Sequence, residues 1–208
     1  MKIKPEDLES KGYRMQDELD HKALIPFLKK HLKKHTLSSI FHNAFNFVMF
    51  ATIVALLTND YIAGKSVLKG IAYILYGMGF TLLLIPIHEL IHGLAYKLLG
   101  AENTSFDANL RKFYFMALAD QFVANKKEFR IVALAPFVTI TTAGFALLYF
   151  VSGPWTYSIL AAILTHAVFC SGDFGLLSYF DANKGKELVT YDVVATKMSY
   201  FYVKELNN

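Results

Sequence analysis

Charge is the first thing this chain is short of. Asp, Glu, Lys and Arg supply 18% of its 208 residues, against a usual quarter, while 54% are hydrophobic and 15% aromatic. That balance excludes a disordered chain and an ordinary soluble globule. Cysteine is nearly missing: Cys170 is the only one, so no internal disulfide can form, and it reads as a buried packing residue rather than a nucleophile. No repeat or low-complexity tract is present. What the chain has in excess is apolar surface, more than one core of 23.5 kDa should need, at a mean hydropathy of +0.35.

The surplus lies in blocks. No charged side chain occurs between Thr36 and Asn59, between Gly70 and Ile87, or between Ile131 and Gly172. A hydrocarbon core about 30 Å thick takes roughly 20 helical residues, so the last gap holds two crossings, divided at Ser152-Gly153-Pro154. Four spans are expected, at about 37 to 58, 68 to 100, 126 to 151 and 156 to 180. The first apolar run starts far from Met1 and carries no small-residue cleavage site, so a signal peptide is not expected.

Lys and Arg orient the spans. They cluster before the first span (Lys22, Lys29, Lys30, Lys33, Lys34), in the 101–130 connection (Arg111, Lys112, Lys126, Lys127, Arg130) and in the tail (Lys184, Lys186). The 59–67 loop holds only Lys65, and the 152–157 turn holds no cation. The positive-inside rule then gives a multi-pass protein of the cell membrane with both termini cytoplasmic. This topology accounts for the net charge of +4, so no nucleic-acid partner is expected. The Lys29 to Lys34 run reads first as a topology signal and second as a contact for anionic lipid headgroups.

Finer punctuation follows. Asn125 with Glu128 three residues later predicts a capped helix start. Pro86 predicts a kink in the second span. Within 103–119, Phe106, Ala108 and Leu110 alternate with polar residues and a Phe113 to Ala119 apolar run follows, which predicts a β-hairpin at the cytoplasmic interface. Alternation from Glu187 and the aromatic Ser199 to Val203 run allow a short strand pair in the tail.

The chemistry concentrates in His88-Glu89-Leu90-Ile91-His92. Histidines at i and i+4 project from one helix face, which lets both imidazoles bind one Zn2+ ion. Glu89 between them can reach an attacking water as general base. Polar groups inside an apolar helix are costly unless used, which favours the metal reading over two satisfied core histidines.

A third ligand is needed. Leu98 and Ala95 stand where the long metzincin motif requires His and Gly. Glu102 is one candidate, but Gly100 should end the helix before it. Asp173 is the better one, as the only charged residue in the fourth span. His88 lies about 20 residues from the external start of its span and Asp173 about 17 from that of its own, so at about 1.5 Å per residue both sit at similar depth. His166, two turns before Asp173, reads first as an interhelical hydrogen-bonding residue in the bundle and second as a transition-state donor, a partner to a ligand or a substitute ligand.

These residues, with Ala135-Pro136-Phe137 and Gly172-Asp173, resemble the putative zincin peptidases of bacteria, small membrane proteins related to the site-two intramembrane metalloproteases. The resemblance covers about residues 70 to 180. It implies a three-helix catalytic core, zinc on His88, His92 and Asp173, Glu89 as base, and an interfacial strand that receives substrate by edge pairing. The site-two pattern has Asn and Pro upstream of its Asp and Gly after it; here Gly172 precedes Asp173 and Phe174 follows, with His166 the candidate replacement for the Asn.

The fold expected is an all-α polytopic membrane protein, four transmembrane helices with a short cytoplasmic-side β-hairpin. Its parts are a basic cytoplasmic lead over 1–36, a membrane metalloprotease-like domain over 37–180 and a cytoplasmic tail over 181–208. The function expected is zinc metalloendopeptidase action on a membrane protein or peptide substrate. The alternative is a non-catalytic zinc-binding membrane scaffold or signalling protein, and a transporter is a weaker third reading, since it leaves Glu89 and the hairpin without a role.

Overall fold

The structure is a computed structural model that describes residues 2–109 and 114–205. In chain order its elements are β1 (Arg14–Asp20), α1 (Leu24–Leu32), α2 (Leu37–Ile62), α3 (Val67–Leu98), β2 (Thr104–Asn109), β3 (Tyr114–Ala119), β4 (Ala124–Asn125), α4 (Lys126–Leu148), α5 (Trp155–Phe169), α6 (Ser171–Ala182), β5 (Lys186–Val193) and β6 (Met198–Glu205). Two compact units emerge: one of Met1–Ser39, Glu89–Pro136 and Gly172–Asn208, the other of Ile40–His88 and Phe137–Ser171.

The all-α expectation is overturned by the first unit. A four-stranded antiparallel sheet runs β1-β6-β5-β4, with Arg14 opposite Val203, Lys186 opposite Glu205 and Ala124 opposite Thr190. A second sheet pairs β2 with β3, Thr104 opposite Ala119. The expected hairpin is therefore there, although Leu110, Arg111, Lys112 and Phe113 lie outside the described residues. The tail strand pair allowed by the sequence is β5 and β6; what escaped it are β1, in the polar lead, and the two-residue β4, which complete the sheet on either side of that pair. Leu8, Tyr13, Val123 and Val189, the last from β5, form one core cluster. Phe129 stacks on Phe180 at 4.4 Å between ring centres.

Among the described residues, three helices, α2, α3 and α4, are each long and apolar enough to cross a membrane; over the fourth expected span, α5 and α6 meet that measure only together and are bent by 47° at Cys170, a broken span or a re-entrant pair. α6 has a packing reason to be a separate helix. A Cβ on Gly175 would lie 3.1 Å from the Leu28 carbonyl oxygen, so α6 approaches the α1 backbone closely there. Ser178 Oγ then donates to the His31 carbonyl at 2.7 Å. Gly172 leaves ordinary contact distance, 3.7 Å to Leu28 Cδ1, so the close approach falls at Gly175.

In the second unit, Met49, Ile53, Leu160 and Ile163 form the core. α3 and α5 touch backbone to backbone: a Cβ on Gly77 would fall 2.0 Å from the Ser158 carbonyl oxygen, and Ser158 Oγ donates to the Tyr73 carbonyl at 2.7 Å. Small residues permit this approach where apolar burial alone gives helices little reason to associate. Phe47, Phe50, Leu75 and Leu83 point outward and are exposed.

α3 is assigned as one helix of 32 residues through Pro86. At about 1.5 Å per residue it is longer than the hydrocarbon core is thick. It ends in a Schellman turn at Gly100, φ +95°, where Ala101 N–H reaches the Tyr96 carbonyl and Gly100 N–H the Lys97 carbonyl, both at 3.0 Å. α4 opens on the expected cap. Asn125 Oδ1 accepts from the backbone of Lys127 and Glu128, and Glu128 Oε2 accepts from Asn125 N–H.

Candidate metal centre

α3 carries His88, Glu89 and His92, and its continuity puts the two histidines on one face, a turn apart. In the first unit, His92 is held from two sides. Its Nδ1 lies 2.9 Å from the Val132 carbonyl oxygen, and its Nε2 lies 3.2 Å from Asp173 Oδ1. A carbonyl only accepts, so Nδ1 carries the proton. In a neutral imidazole Nε2 then presents a lone pair to a carboxylate oxygen. Two acceptors this close require a cation between them, a proton or a metal ion.

The Val132 carbonyl is free to play this part for a reason in the sequence. In a helix it would accept from the N–H of residue 136, and residue 136 is a proline within α4, without an N–H. Pro136 thus leaves one carbonyl unclaimed at the position where His92 needs an acceptor. Asp173 sits in the first turn of α6, where the helix dipole favours a carboxylate. Its side chain is 18% exposed.

The donor set fits zinc. Two ligands at about 2.0–2.1 Å from a tetrahedral ion stand about 3.3 Å apart, close to the His92–Asp173 separation. An imidazole whose other nitrogen donates to a backbone carbonyl is the arrangement that metal-ligating histidines use.

In the second unit, His88 Nδ1 lies 3.1 Å from His166 Nε2, both side chains buried. Cys170 Sγ lies 3.8 Å from His166 Nε2 and 4.0 Å from His88 Nδ1. His42 Nε2 lies 3.0 Å from the Ala167 carbonyl oxygen and 3.1 Å from Asn46 Nδ2. Glu102 is exposed and its backbone carbonyl takes Lys97 Nζ, so it stands apart from the carboxylate that meets His92.

The hairpin lies beside the centre. A Cβ on Gly93 would meet the Phe106 ring at 3.0 Å, which sets β2 against α3 one residue past His92. Lys197 Nζ, 2.8 Å from Asp107 Oδ2, ties β2 to the turn between β5 and β6 and holds the Asp107 carboxyl below its ordinary range. Sequence reasoning passed over Val132, whose role is played by backbone; the signal was the proline four residues later.

Residues 81–184, half of the chain, match the model of the family described as putative zincin peptidase. The chain belongs to the putative zincin peptidase family. No curated protein and no solved structure matches it. For this family member the match runs from within α3 to just past α6 and so contains His88, Glu89, His92, His166, Cys170 and Asp173. The family's description suggests zinc and peptide hydrolysis, and leaves the roles of individual residues to be argued from their surroundings.

Proposed function

We propose that this zincin-family chain is a zinc metallopeptidase working in or at a membrane interface, with zinc held by His88, His92 and Asp173 and with Glu89 as general base. The observation that carries the reading is the His92–Asp173 pair, an imidazole nitrogen and a carboxylate oxygen at 3.2 Å with the other imidazole nitrogen directed at the Val132 carbonyl. His88, on the same face of α3, supplies the third ligand. When bound, zinc polarises the scissile carbonyl and lowers the pKa of the attacking water toward about 7. Glu89 takes the proton from that water and returns it to the departing amine nitrogen. His166, against Nδ1 of His88, fixes which ring nitrogen of His88 is left for the metal.

The β2–β3 hairpin beside Gly93 supports a substrate that arrives extended and adds to the outer edge of β2. Three apolar helices with outward Phe and Leu side chains support a membrane setting, and the lysine distribution supports cytoplasmic termini. Exposed Lys29 and Lys30 on α1 support contact with anionic headgroups. The substrate class is then a membrane protein or a membrane-bound peptide.

The test is Glu89→Gln. It should keep the zinc content of the wild type and lose cleavage by at least about 100-fold, the contribution typical of general base catalysis. Wild-type protein that cleaves no membrane peptide, matched in every cellular assay by Glu89→Gln, would support a zinc-holding scaffold instead.

A further inference from the structure

We propose that His88, His166 and Cys170 form a second metal seat, buried in the second unit, for a thiophilic cation of the zinc class. The three residues come from α3, from α5 and from the break after α5, and each offers one ligand atom. Their exposures are 8%, 2% and 0%, so the set is shielded from solvent. A tetrahedral zinc with Zn–N of about 2.0–2.1 Å and Zn–S of about 2.3 Å places nitrogens about 3.3 Å apart and nitrogen and sulfur about 3.6 Å apart. The corresponding separations here are 3.1, 3.8 and 4.0 Å, each within about half an ångström of that geometry. Imidazole and thiolate together select zinc and copper(I) over hard cations such as Mg2+.

Loading the seat balances simply. Cys170 gives up its Sγ proton to solvent, and the imidazole proton shared between His88 Nδ1 and His166 Nε2 moves to the other nitrogen of its own ring. Two neutral imidazoles and one thiolate then hold the divalent ion, with a fourth position open. A neutral His88 that ligates through Nδ1 carries its proton on Nε2, so this seat and the catalytic reading above use His88 in turn and not together; the seat rests on none of Glu89, His92 or Asp173.

The experiment titrates Co2+ into the metal-stripped full chain in detergent micelles and follows near-ultraviolet thiolate-to-cobalt absorption. That band has one source, because Cys170 is the only cysteine. The expected result is a saturable band in wild type, retained in His92→Ala, absent in the near-isosteric Cys170→Ser, and moved to at least tenfold higher Co2+ in His166→Ala. A wild-type chain without the band at saturating Co2+, or a half-saturation unchanged in His166→Ala, overturns the seat. Cleavage by a wild type that lacks the band would overturn this inference and leave the peptidase reading standing; the band in a wild type that cleaves nothing would do the reverse.

Discussion

At the scale of the residue, the account turns on protons. His92 can face Asp173 with a lone pair only because Val132 takes its Nδ1–H, and Val132 can do so because Pro136 cannot. Pro136→Ala would restore an N–H that competes for the Val132 carbonyl. The expected outcome is a zinc affinity lower by about 10-fold or more, the usual size of a lost hydrogen bond behind a metal ligand, with the helix itself no less stable. Competition against a chromogenic chelator measures it, and an unchanged affinity would remove Val132 from the account. The helix that carries His88, Glu89 and His92 was legible as a candidate metal-binding helix, because histidines at i and i+4 share one face. Asp173 stood out as an isolated charge in an apolar run. The acceptor for His92 was not legible, since a backbone carbonyl has no letter in the sequence.

At the scale of the element, two glycines of α3 separate contact from propensity. A Cβ on Gly77 would strike the Ser158 carbonyl oxygen at 2.0 Å, whereas at Gly79 it would meet nothing within 4 Å. Gly77→Ala should therefore destabilise by about 1–3 kcal/mol, as overpacking does. Gly79→Ala should be neutral or stabilising by up to about 1 kcal/mol. Thermal unfolding in micelles compares them; equal shifts would mean that α3 and α5 are not in backbone contact. The apolar helices were readable because 20 or so uncharged residues have few alternatives to a helix. β1 was not, since Leu19 is its only buried residue and gives no alternation to read. The bend in the fourth expected span was not readable for a related reason: hydropathy runs unbroken across Cys170, while the packing of Gly175 on Leu28 depends on residues far away in the chain.

At the scale of the whole molecule, one unit carries buried titratable groups and answers to pH. His31, packed between Phe27 and Tyr179, is pushed down to about 4, chiefly by burial, with Lys34 and Lys30 adding to it. Burial also lowers His21, which meets Ser199 Oγ at 3.0 Å. The unfolded chain takes up these protons first, so their contribution is complete above about pH 6.5 and is lost as pH falls below it, for His31 down to about 4. Asp192 has the opposite sign. Burial, with Asp120 alongside, raises it to about 6, so its protonation favours the folded state as pH falls through that value. His31→Phe keeps the ring and removes its titration. The protection factors of amides in β5 and β6 should then fall less between pH 6.5 and 4.5 than in wild type, and an identical fall would contradict the assignment to His31. The central claim, that zinc sits between His92 and Asp173, is tested most directly by zinc content in a Cys170→Ser background, where the buried thiolate seat is closed. The account predicts about one zinc per chain in Cys170→Ser and less than about a tenth of that in Cys170→Ser/Asp173→Ala, with both chains folded; equal zinc in the two would contradict it.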